Sequence, residues 1–375
     1  MAHGFEKAEL LRCTTVQQIV EHKQRLVEIP HMATVNDALN TLLVKNILAV
    51  PVAAPPGQWI GAGGSMILES DKATGAVRKQ YIGIVSMLDI LIHIAEAEDE
   101  DVDTRLKATV SSIIGNSTEG LGLWSISPKT SVLDAMETMS KGIHRVLIPI
   151  ESKMEHTVGV ELQEASPGYH ILTQTDVVEF LYAHYKELDF MTTTTVLELG
   201  AAQSNVYAAP SCMKVMDVVK CIRKSLLQAV AIVETTGDSD KEQTLVFGNG
   251  RKLVGTFSAS DLLGRTSEML RAWSTLPILS FLSKAGMAQR FGMAAAVNAG
   301  SFECKGFQKT PVTCHLETPI VEVMSQALTN HVHRVWVVDN EDHLNGVVSF
   351  SDIIMLVHDY FIRQHPQAHV REKPW

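Results

Sequence analysis

Short apolar runs alternate with amphipathic stretches of helical period along this chain, and one arrangement of them occurs four times. In each occurrence an apolar run is followed by serine or threonine, two further residues, an aspartate and an apolar stretch of helical length. The four segments are residues 81–89, 169–176, 253–261 and 344–352. Their aspartates are separated by 87, 85 and 91 positions, and such regular spacing indicates duplication of a whole subdomain.

A second set of matching segments lies upstream in each copy, where the pattern predicts a helix followed by a strand. The helices are predicted to start within residues 34–38, 131–135, 214–218 and 319–323. The first two starts carry a hydroxyl residue with an aspartate three positions later, as in a capping box, and the other two keep only the apolar and acidic positions. Apolar runs typical of strands follow at residues 50–52, 146–150, 230–233 and 335–338. Every copy is therefore predicted to have the order helix, strand, loop, strand, helix, which is an α/β (α+β) fold.

The spacing divides the chain into four repeats and one insert. The repeats are predicted at residues 22–98, 108–188, 196–270 and 305–363, with a helical insert at 271–304. The first repeat carries a long loop, from Pro55 to Lys79, between its two strands. Because one such unit buries little apolar surface by itself, we expect the copies to pack in two pairs, sheet against sheet.

Composition narrows the class of protein. The 375 residues are 46% hydrophobic and 20% charged, which is typical of a folded globular chain. The formal charge of -10 argues against a nucleic-acid partner, and no apolar run reaches the roughly 18 residues that a membrane span needs. The first seven residues lack the apolar segment of a secretory signal, and the five cysteines are scattered, which is typical of reduced thiols. We therefore expect a cytoplasmic or nuclear protein, or one present in both compartments, with no membrane contact.

The aspartates that end the four repeated segments are candidate ligands of a ribose, because a carboxylate accepts hydrogen bonds from two neighbouring hydroxyl groups. They are Asp89, Asp176, Asp261 and Asp352. The hydroxyl residues three positions earlier are candidate phosphate ligands, together with the N–H groups at the start of the helix. They are Ser86, Thr173, Ser258 and Ser349. The alternative is that each aspartate only caps its helix, since a repeated fold repeats its caps.

Two His-Arg pairs are candidate cations for phosphate groups. His144-Arg145 precedes the central strand of the second copy, and His333-Arg334 precedes that of the fourth. Arginine offers a fork of donors to phosphate oxygens, and histidine adds one or two more. Either pair taken alone is also explained by an edge residue beside a surface charge. However, Leu48-Ala49 and Gln228-Ala229 occupy these positions in the other two copies, and this alternation favours pockets formed by pairs of copies.

No other pattern predicts a catalytic or metal site. The segment Gly61-Ala62-Gly63-Gly64 lacks the lysine and the helix of a phosphate-binding loop. His331 and His333 lack a third metal ligand, and Cys304, Cys314 and His315 do not have zinc spacing. A nucleophile elbow and a His-Glu-x-x-His motif are both missing. The sequence therefore predicts a protein that is not an enzyme and that holds no metal and no cofactor.

The fourfold pattern of apolar strand, Ser or Thr, two residues and Asp resembles the cystathionine-β-synthase (CBS) domain over nearly the whole chain. With Ile143-His144-Arg145-Val146 and Val332-His333-Arg334-Val335, the chain is most similar to the gamma subunit of AMP-activated protein kinase and its yeast and plant relatives. The long loop of the first copy and the Ala-rich insert resemble the plant branch. The resemblance implies two Bateman modules, each of two CBS repeats, arranged as a disk.

The same resemblance implies a non-catalytic regulatory subunit of a SNF1/AMPK-type protein kinase complex that senses energy status. Its ligands would be AMP, ADP or ATP, bound by the aspartates, hydroxyl residues and His-Arg pairs named above. Its partners would be a catalytic (alpha-type) kinase subunit and a beta-type scaffold subunit.

The chain departs from that family's pattern at two places. Ile47-Leu48-Ala49 is apolar where the family usually has an arginine, and Gln174-Thr175-Asp176 lacks the basic residues common there. Fewer cations would then surround the central phosphates. The alternative function is therefore a CBS-domain interaction scaffold with no physiological nucleotide ligand. An appended enzyme is disfavoured, because the four repeats take up residues 22–363.

Overall fold

The computed structural model describes residues 9–55, 80–96, 102–120, 123–150, 168–188, 190–200, 205–235, 244–262, 269, 272, 275–291 and 310–364. The strands are β1 (Ile29–Pro30), β2 (Ala49–Ala53), β3 (Tyr81–Ser86), β4 (Trp124–Ser125), β5 (Arg145–Pro149), β6 (Tyr169–Thr173), β7 (Tyr207–Pro210), β8 (Ala229–Val233), β9 (Val246–Phe247), β10 (Leu253–Ser258), β11 (Thr313–Cys314), β12 (Arg334–Val338) and β13 (Leu344–Ser349). The α-helices are α1 (Val16–Val20), α2 (Val35–Lys45), α3 (Met87–Ala95), α4 (Val102–Leu106), α5 (Val132–Ser140), α6 (Gln174–Ala183), α7 (Phe190–Thr193), α8 (Val196–Leu199), α9 (Val215–Lys224), α10 (Ile278–Phe291), α11 (Ile320–Thr329) and α12 (Phe350–Gln364). Short 3-10 helices cover Val110–Ser112 and Ala259–Leu262.

These elements form four repeats with one small sheet each, in the orders β1-β2-β3, β4-β5-β6, β10-β8-β7-β9 and β11-β12-β13. In each sheet the second strand of the repeat pairs in parallel with the entering strand and antiparallel with the strand that leads to the last helix. The third repeat adds β9 beside β7. The predicted α/β fold of four repeats is confirmed by this topology.

Helix starts coincide with the residues that the sequence marks as caps. Thr34 and Ser131 each accept the N–H of the aspartate three positions later, at 3.1 Å in both cases. Lys214 and Pro319, where the hydroxyl is lost, make no side-chain cap. The helix α2 ends at Lys45, and its C-cap residue Asn46 has a φ of 51°, a left-handed conformation that asparagine tolerates.

Each repeat is preceded by a leader segment that bonds to the other repeat of its pair. The four leader segments are residues 9–20, 102–113, 190–199 and 275–291. In the first, Val16 donates its N–H to the carbonyl of Thr130 at 2.9 Å, and Val132 donates to Thr14 at 2.9 Å. The same reciprocal pair of bonds joins Val35 with Ala108, Val110 with Ala33, Val196 with Thr318, Ile320 with Thr194, Val215 with Leu276 and Ile278 with Met213. Repeats 1 and 2 therefore exchange leaders, and so do repeats 3 and 4.

Three hydrophobic cores hold the repeats together. One unites helices of repeats 1 and 3, the second unites helices of repeats 2 and 4, and the third lies between the sheets of repeats 3 and 4. The sheets of repeats 1 and 2 meet at Tyr81 and Tyr169, whose ring centroids are 5.8 Å apart. Sheet-to-sheet pairing was predicted, but the larger helical cores that join one pair to the other were not.

The predicted insert, residues 271–304, contains α10. The start of α10 contacts repeat 3 in the same way that each of the other leader segments contacts its partner repeat. Several sequence predictions fall outside the described residues: the loop at 56–79 with Gly61–Gly64, Cys304, and residues 292–304 of the insert. The boundaries proposed for the repeats remain predictions.

Candidate functional site

A central cavity of about 970 Å³ is lined by residues from all four repeats. A pocket of about 70 Å³ adjoins it, and the two share Glu119, Arg145, Asp261, His333 and Arg334. Repeat 1 contributes the segment 47–49, which is apolar where the family usually has an arginine. The cavity therefore lies where the four repeats converge.

Strand register brings the predicted cations and hydroxyls to the same place. Arg145 is the register partner of Thr173, and Arg334 is the register partner of Ser349. In repeats 1 and 3 the corresponding pairs are Ala49 with Ser86 and Ala229 with Ser258. The central cavity is lined by His144, Arg145, Thr173, Asp261, His333, Arg334 and Ser349, and the adjoining pocket is lined by Ser86 and Ser258 as well.

Glu119, which the sequence analysis did not single out, holds the first His-Arg pair. Its carboxylate lies 2.7 Å from Nδ1 of His144 and accepts a hydrogen bond from Arg145. Burial alone would raise the pKa of Glu119, but the charge of Arg145 and the contacts with His144 outweigh it and lower the pKa to about 2. Glu119 is therefore ionised at neutral pH and supplies a fixed negative charge inside the cavity.

Among the described residues, no ion pair joins a carboxylate to His333 or Arg334, and burial and nearby charges govern this second pair. Burial of the imidazole, followed by the charges of Arg145 and Arg334, lowers the pKa of His333 to about 4. Desolvation also lowers the pKa of Arg334, while Glu119 and Asp352 act in the opposite direction. An arginine remains charged in proteins at neutral pH, so this pair contributes one cation and one neutral imidazole.

All four predicted aspartates cap the helix that follows them. In each repeat the Oδ2 atom accepts the backbone N–H of the hydroxyl residue three positions earlier, at 2.7 or 2.8 Å. The hydroxyl groups themselves donate to the same carboxylates. The capping alternative therefore accounts for one oxygen of every aspartate.

The other carboxylate oxygen distinguishes the aspartates. Asp89 is fully buried, and its Oδ1 accepts the N–H of Ser117 at 2.6 Å, so both its oxygens are bonded within the protein. Burial raises the pKa of Asp89, although its hydrogen bonds act against this. Asp176 accepts from Nζ of Lys23 at 2.7 and 2.6 Å. Of the four, only Asp261 is among the cavity-lining residues that the structure describes. Asp89 therefore lies in a structural position, contrary to the prediction that it faces a ribose.

The first N–H groups of the helices are also taken by the protein. Gln174 and Phe350 donate their N–H groups to the carbonyls of His144 and His333, both at 3.1 Å, and Met87 donates to Leu48 at 2.9 Å. These three donors are not directed at a ligand, which corrects the idea that they would hold a phosphate.

Sequence reasoning missed Glu119, Lys23 and Gln174. Lys23 follows the leader of repeat 1, and the leader exchange carries it to Asp176 in repeat 2. Gln174 is buried and donates to Ser351 at 2.9 Å, which bonds repeat 2 to repeat 4. The one sequence signal for Glu119 is its position in a short polar loop bounded by Gly115 and Gly120, directly before repeat 2. Neither of the other two carries a local signal, because both depend on long-range packing.

The part of the chain that the structure describes contains no group of three or more His, Cys, Asp or Glu side chains suited to a metal ion. None of the described helices combines the length and the apolar character that crossing a membrane requires.

Comparison with known proteins identifies the family. Residues 305–359 match the CBS domain family. The SNF1-related protein kinase regulatory subunit gamma-like PV42b of Arabidopsis thaliana is 44% identical over 352 residues, which cover 94% of this chain and 96% of that protein. The gamma-like subunit PV42a of the same plant is 43% identical over 347 residues, covering 91% and 93%.

Among solved structures, protein MJ1225 of Methanocaldococcus jannaschii, a candidate archaeal homologue of g-AMPK, superposes with a TM-score of 0.53. The superposition covers 93% of this chain and 100% of the archaeal chain at 16% sequence identity, so it bears on the fold alone. The CBS-type fold, the match at residues 305–359 and the two full-length plant relatives agree: the chain belongs to the family of SNF1-related protein kinase regulatory subunit gamma-like proteins.

Proposed function

We propose that this chain is a non-catalytic regulatory subunit of a SNF1-related protein kinase, and that its central cavity binds an adenine nucleotide. The observation that carries the proposal is the convergence of Arg145, Arg334 and Asp261 on one cavity of about 970 Å³. Such a volume is within the range of small-molecule sites. The two arginines would contact phosphate oxygens, Asp261 would accept from ribose hydroxyls, and the apolar segment 47–49 would contact the base.

A regulatory ligand has to bind two arrangements of the assembly with different affinities. The cavity is suited to this, because its lining comes from all four repeats and any shift between the repeat pairs changes the distance between Arg145 and Arg334. We infer that AMP, ADP or ATP stabilises one arrangement of the repeats, and that this arrangement changes the activity of the kinase complex.

Nucleotide binding is tested by calorimetric titration of the full chain with AMP, ADP and ATP. We expect binding by the wild-type chain and a loss of roughly tenfold or more in affinity for Arg334→Ala, since a charged hydrogen-bond partner of the phosphate is removed. Arg363→Ala is the matched control, because the Arg363 side chain is 83% exposed on α12 and forms a surface pair with Asp359. Equal affinities of the two variants, or no binding of any nucleotide at millimolar concentration, would refute the ligand part of the proposal.

The kinase partnership is tested separately, by co-expression with a plant alpha-type catalytic subunit and a beta-type subunit. The names of the 44% and 43% identical relatives support this part of the proposal. We expect a three-subunit complex that survives gel filtration and a kinase activity that depends on nucleotide. A folded chain that never co-purifies with either subunit would contradict it.

A second candidate, an interaction scaffold without a physiological nucleotide, is favoured by one specific observation: Glu119 already occupies the His144-Arg145 pair. If this candidate is right, the kinase complex forms with Arg334→Ala and Arg145→Ala as well as with wild type, and its activity does not respond to nucleotide. The two candidates are therefore separated by the same co-expression experiment.

A further inference from the structure

The loop that carries Glu119 is fixed in place on repeat 1. The N–H of Ser117 donates to the buried carboxylate of Asp89 at 2.6 Å, and Ile84 donates its N–H to the carbonyl of Gly120 at 3.0 Å. Gly120 lies so close to Gly115 that a Cβ atom on Gly120 would be 2.5 Å from the Gly115 nitrogen. The loop is thus anchored at both sides of Glu119, and the carboxylate is held in the cavity by the backbone.

Glu119 engages the donors that a phosphate would need. Its carboxylate contacts Nδ1 of His144 at 2.7 Å and the guanidinium of Arg145. The side chains of Glu119 and Arg145 are each 16% exposed, and that of His144 is 24% exposed, so the cluster is largely shielded from water but still open to the cavity. Carboxylate and phosphate oxygens accept the same charged hydrogen bonds, and they therefore compete for these donors.

The charges around the cavity determine how many phosphate groups a ligand can carry. Its described lining contains three cations, Lys23, Arg145 and Arg334, and three acids, Glu119, Glu179 and Asp261. Leaving the histidines out of the count, the formal charge of the lining is zero. Each additional phosphate on a ligand adds negative charge to a shielded site that has no surplus of positive charge, and this is unfavourable.

We propose that Glu119 is an internal anion that occupies the His144-Arg145 pair and thereby restricts the cavity to ligands with a single phosphate. Arg334 is then the arginine left for that phosphate, and Asp89 is a positioning residue that acts through the loop. The selectivity for AMP over ATP rests on the proposed function, whereas the exclusion of polyphosphate by Glu119 does not require an adenine site.

The test is calorimetric titration of the full-length wild type, Glu119→Gln and Glu179→Gln at constant ionic strength. The probes are AMP, ATP without magnesium, inorganic phosphate and tripolyphosphate. The two variants change the net charge of the lining equally, but Glu179 is exposed and has no ion pair among the salt bridges found for the described residues. We expect Glu119→Gln to bind ATP and tripolyphosphate roughly tenfold tighter than wild type, with less than about a threefold change for AMP and phosphate. Glu179→Gln removes the same charge from an exposed position, where solvent and salt screen it, so it should change all four affinities by less than about threefold.

Two further variants show whether the gain passes through Arg145. In Glu119→Gln/Arg145→Gln the gain for ATP and tripolyphosphate should disappear. Glu119→Asp keeps the charge but withdraws it by one methylene, so it should show a smaller gain in the same direction, and it replaces Glu119→Gln if that variant does not fold.

The outcomes separate this inference from the proposed function. If nucleotides bind but Glu119→Gln leaves the ratio of ATP to AMP affinity unchanged, or matches Glu179→Gln, the inference is wrong and the nucleotide site stands. If no adenine nucleotide binds any variant but tripolyphosphate binds Glu119→Gln about tenfold tighter, the inference stands and the nucleotide site is refuted. If neither ATP nor tripolyphosphate binds Glu119→Gln more tightly than wild type, the inference is overturned.

Discussion

At the scale of single residues, the same Ser/Thr-x-x-Asp motif performs different tasks in the four repeats. All four aspartates cap a helix with one oxygen, and the surroundings decide what the second oxygen does. In repeat 1 it anchors the Glu119 loop, in repeat 2 it pairs with Lys23, and in repeat 3 the carboxylate lies at the cavity. Repetition of a motif therefore indicates a repeated fold more securely than a repeated site.

Replacement of Asp89 is expected to cost more stability than replacement of an exposed cap. In Asp89→Ala the N–H groups of the buried residues Ser86 and Ser117 lose their acceptor, and the free energy of unfolding should fall by about 2–3 kcal/mol. Asp37→Ala is the control, since Asp37 caps α2 in the same way but is open to water, and we expect a loss of about 1 kcal/mol. Urea unfolding measures both, and equal losses would show that the bond to Ser117 contributes nothing.

The pH dependence of stability should report the ionised Glu119. Its pKa of about 2 in the folded protein lies below the ordinary 4.5, so the folded state favours the carboxylate. The stabilisation is therefore complete above about pH 4.5 and is lost progressively as the pH falls toward 2. We expect wild type to exceed Glu119→Gln by about 2–3 kcal/mol between pH 5.5 and 7, with a narrowing difference below pH 4.5. Urea unfolding at a series of pH values measures this, and a difference that widens in acid would contradict it.

At the scale of elements, the exchanged leader segments determine which side chains meet. The bonds from Val110 to Ala33 and from Val35 to Ala108 place the end of the second leader against repeat 1, directly before the Glu119 loop. The same exchange carries Lys23 from the first leader to Asp176 in repeat 2. The leader segments between repeats thus determine which side chains line the cavity.

The packing of the Glu119 loop on repeat 1 should be sensitive to substitution of Gly120. A Cβ atom there would lie 2.5 Å from the nitrogen and 3.0 Å from Cα of Gly115, and backbone atoms cannot rotate away as a side chain can. We expect Gly120→Ala to lower the free energy of unfolding by about 1–3 kcal/mol and to displace the loop. Hydrogen exchange at the Ser117 amide, which donates to Asp89, should become faster.

Gly168→Ala is the matched control for that substitution. Its nearest contact would be the Cδ1 atom of Ile150 at 3.7 Å, which is an ordinary van der Waals distance. We expect a change in stability within about 0.5 kcal/mol and unchanged exchange at Ser117. If Gly120→Ala behaves like Gly168→Ala, the loop is not as tightly packed as the structure indicates.

The sequence was sufficient for those features that are encoded locally. The caps at Thr34 and Ser131, the central strands and the position of the His-Arg pairs were all predicted, because each depends on a few neighbouring residues. The leader exchange could not be predicted, since it rests on backbone bonds such as Val16 to Thr130, which any residue other than proline can make. Glu119 was missed for the same reason, because the role of an acid in a polar loop depends on the residues that face it across the cavity.

At the scale of the whole molecule, helix packing joins the two repeat pairs into one folding unit. Eight residues of the nine-residue helix α3 are buried, including Ile90 and Leu91, which is typical of a helix enclosed by protein on every side. Its core also contains Val218 and Ile222 from α9 in repeat 3. A matching core unites repeats 2 and 4, so each half of the chain supplies only half of each helical core.

The two halves of the chain, residues 1–188 and 189–375, each keep their own leader segments, but they are expected not to fold stably when produced separately, because of the helical cores that they share. Each half would expose the apolar faces of the helices that pack across the pairs, and this loss of burial far exceeds what a marginally stable domain can tolerate. We expect the separate halves to bind a hydrophobic dye and to melt without a cooperative transition, and an equimolar mixture to recover the transition of the intact chain. An intact chain with a protease site inserted at residue 189, cut after folding, is the matched control and should remain assembled through gel filtration. A monomeric half that melts cooperatively near the temperature of the full chain would show instead that each pair is an independent domain, and that the central cavity forms by docking of two finished modules.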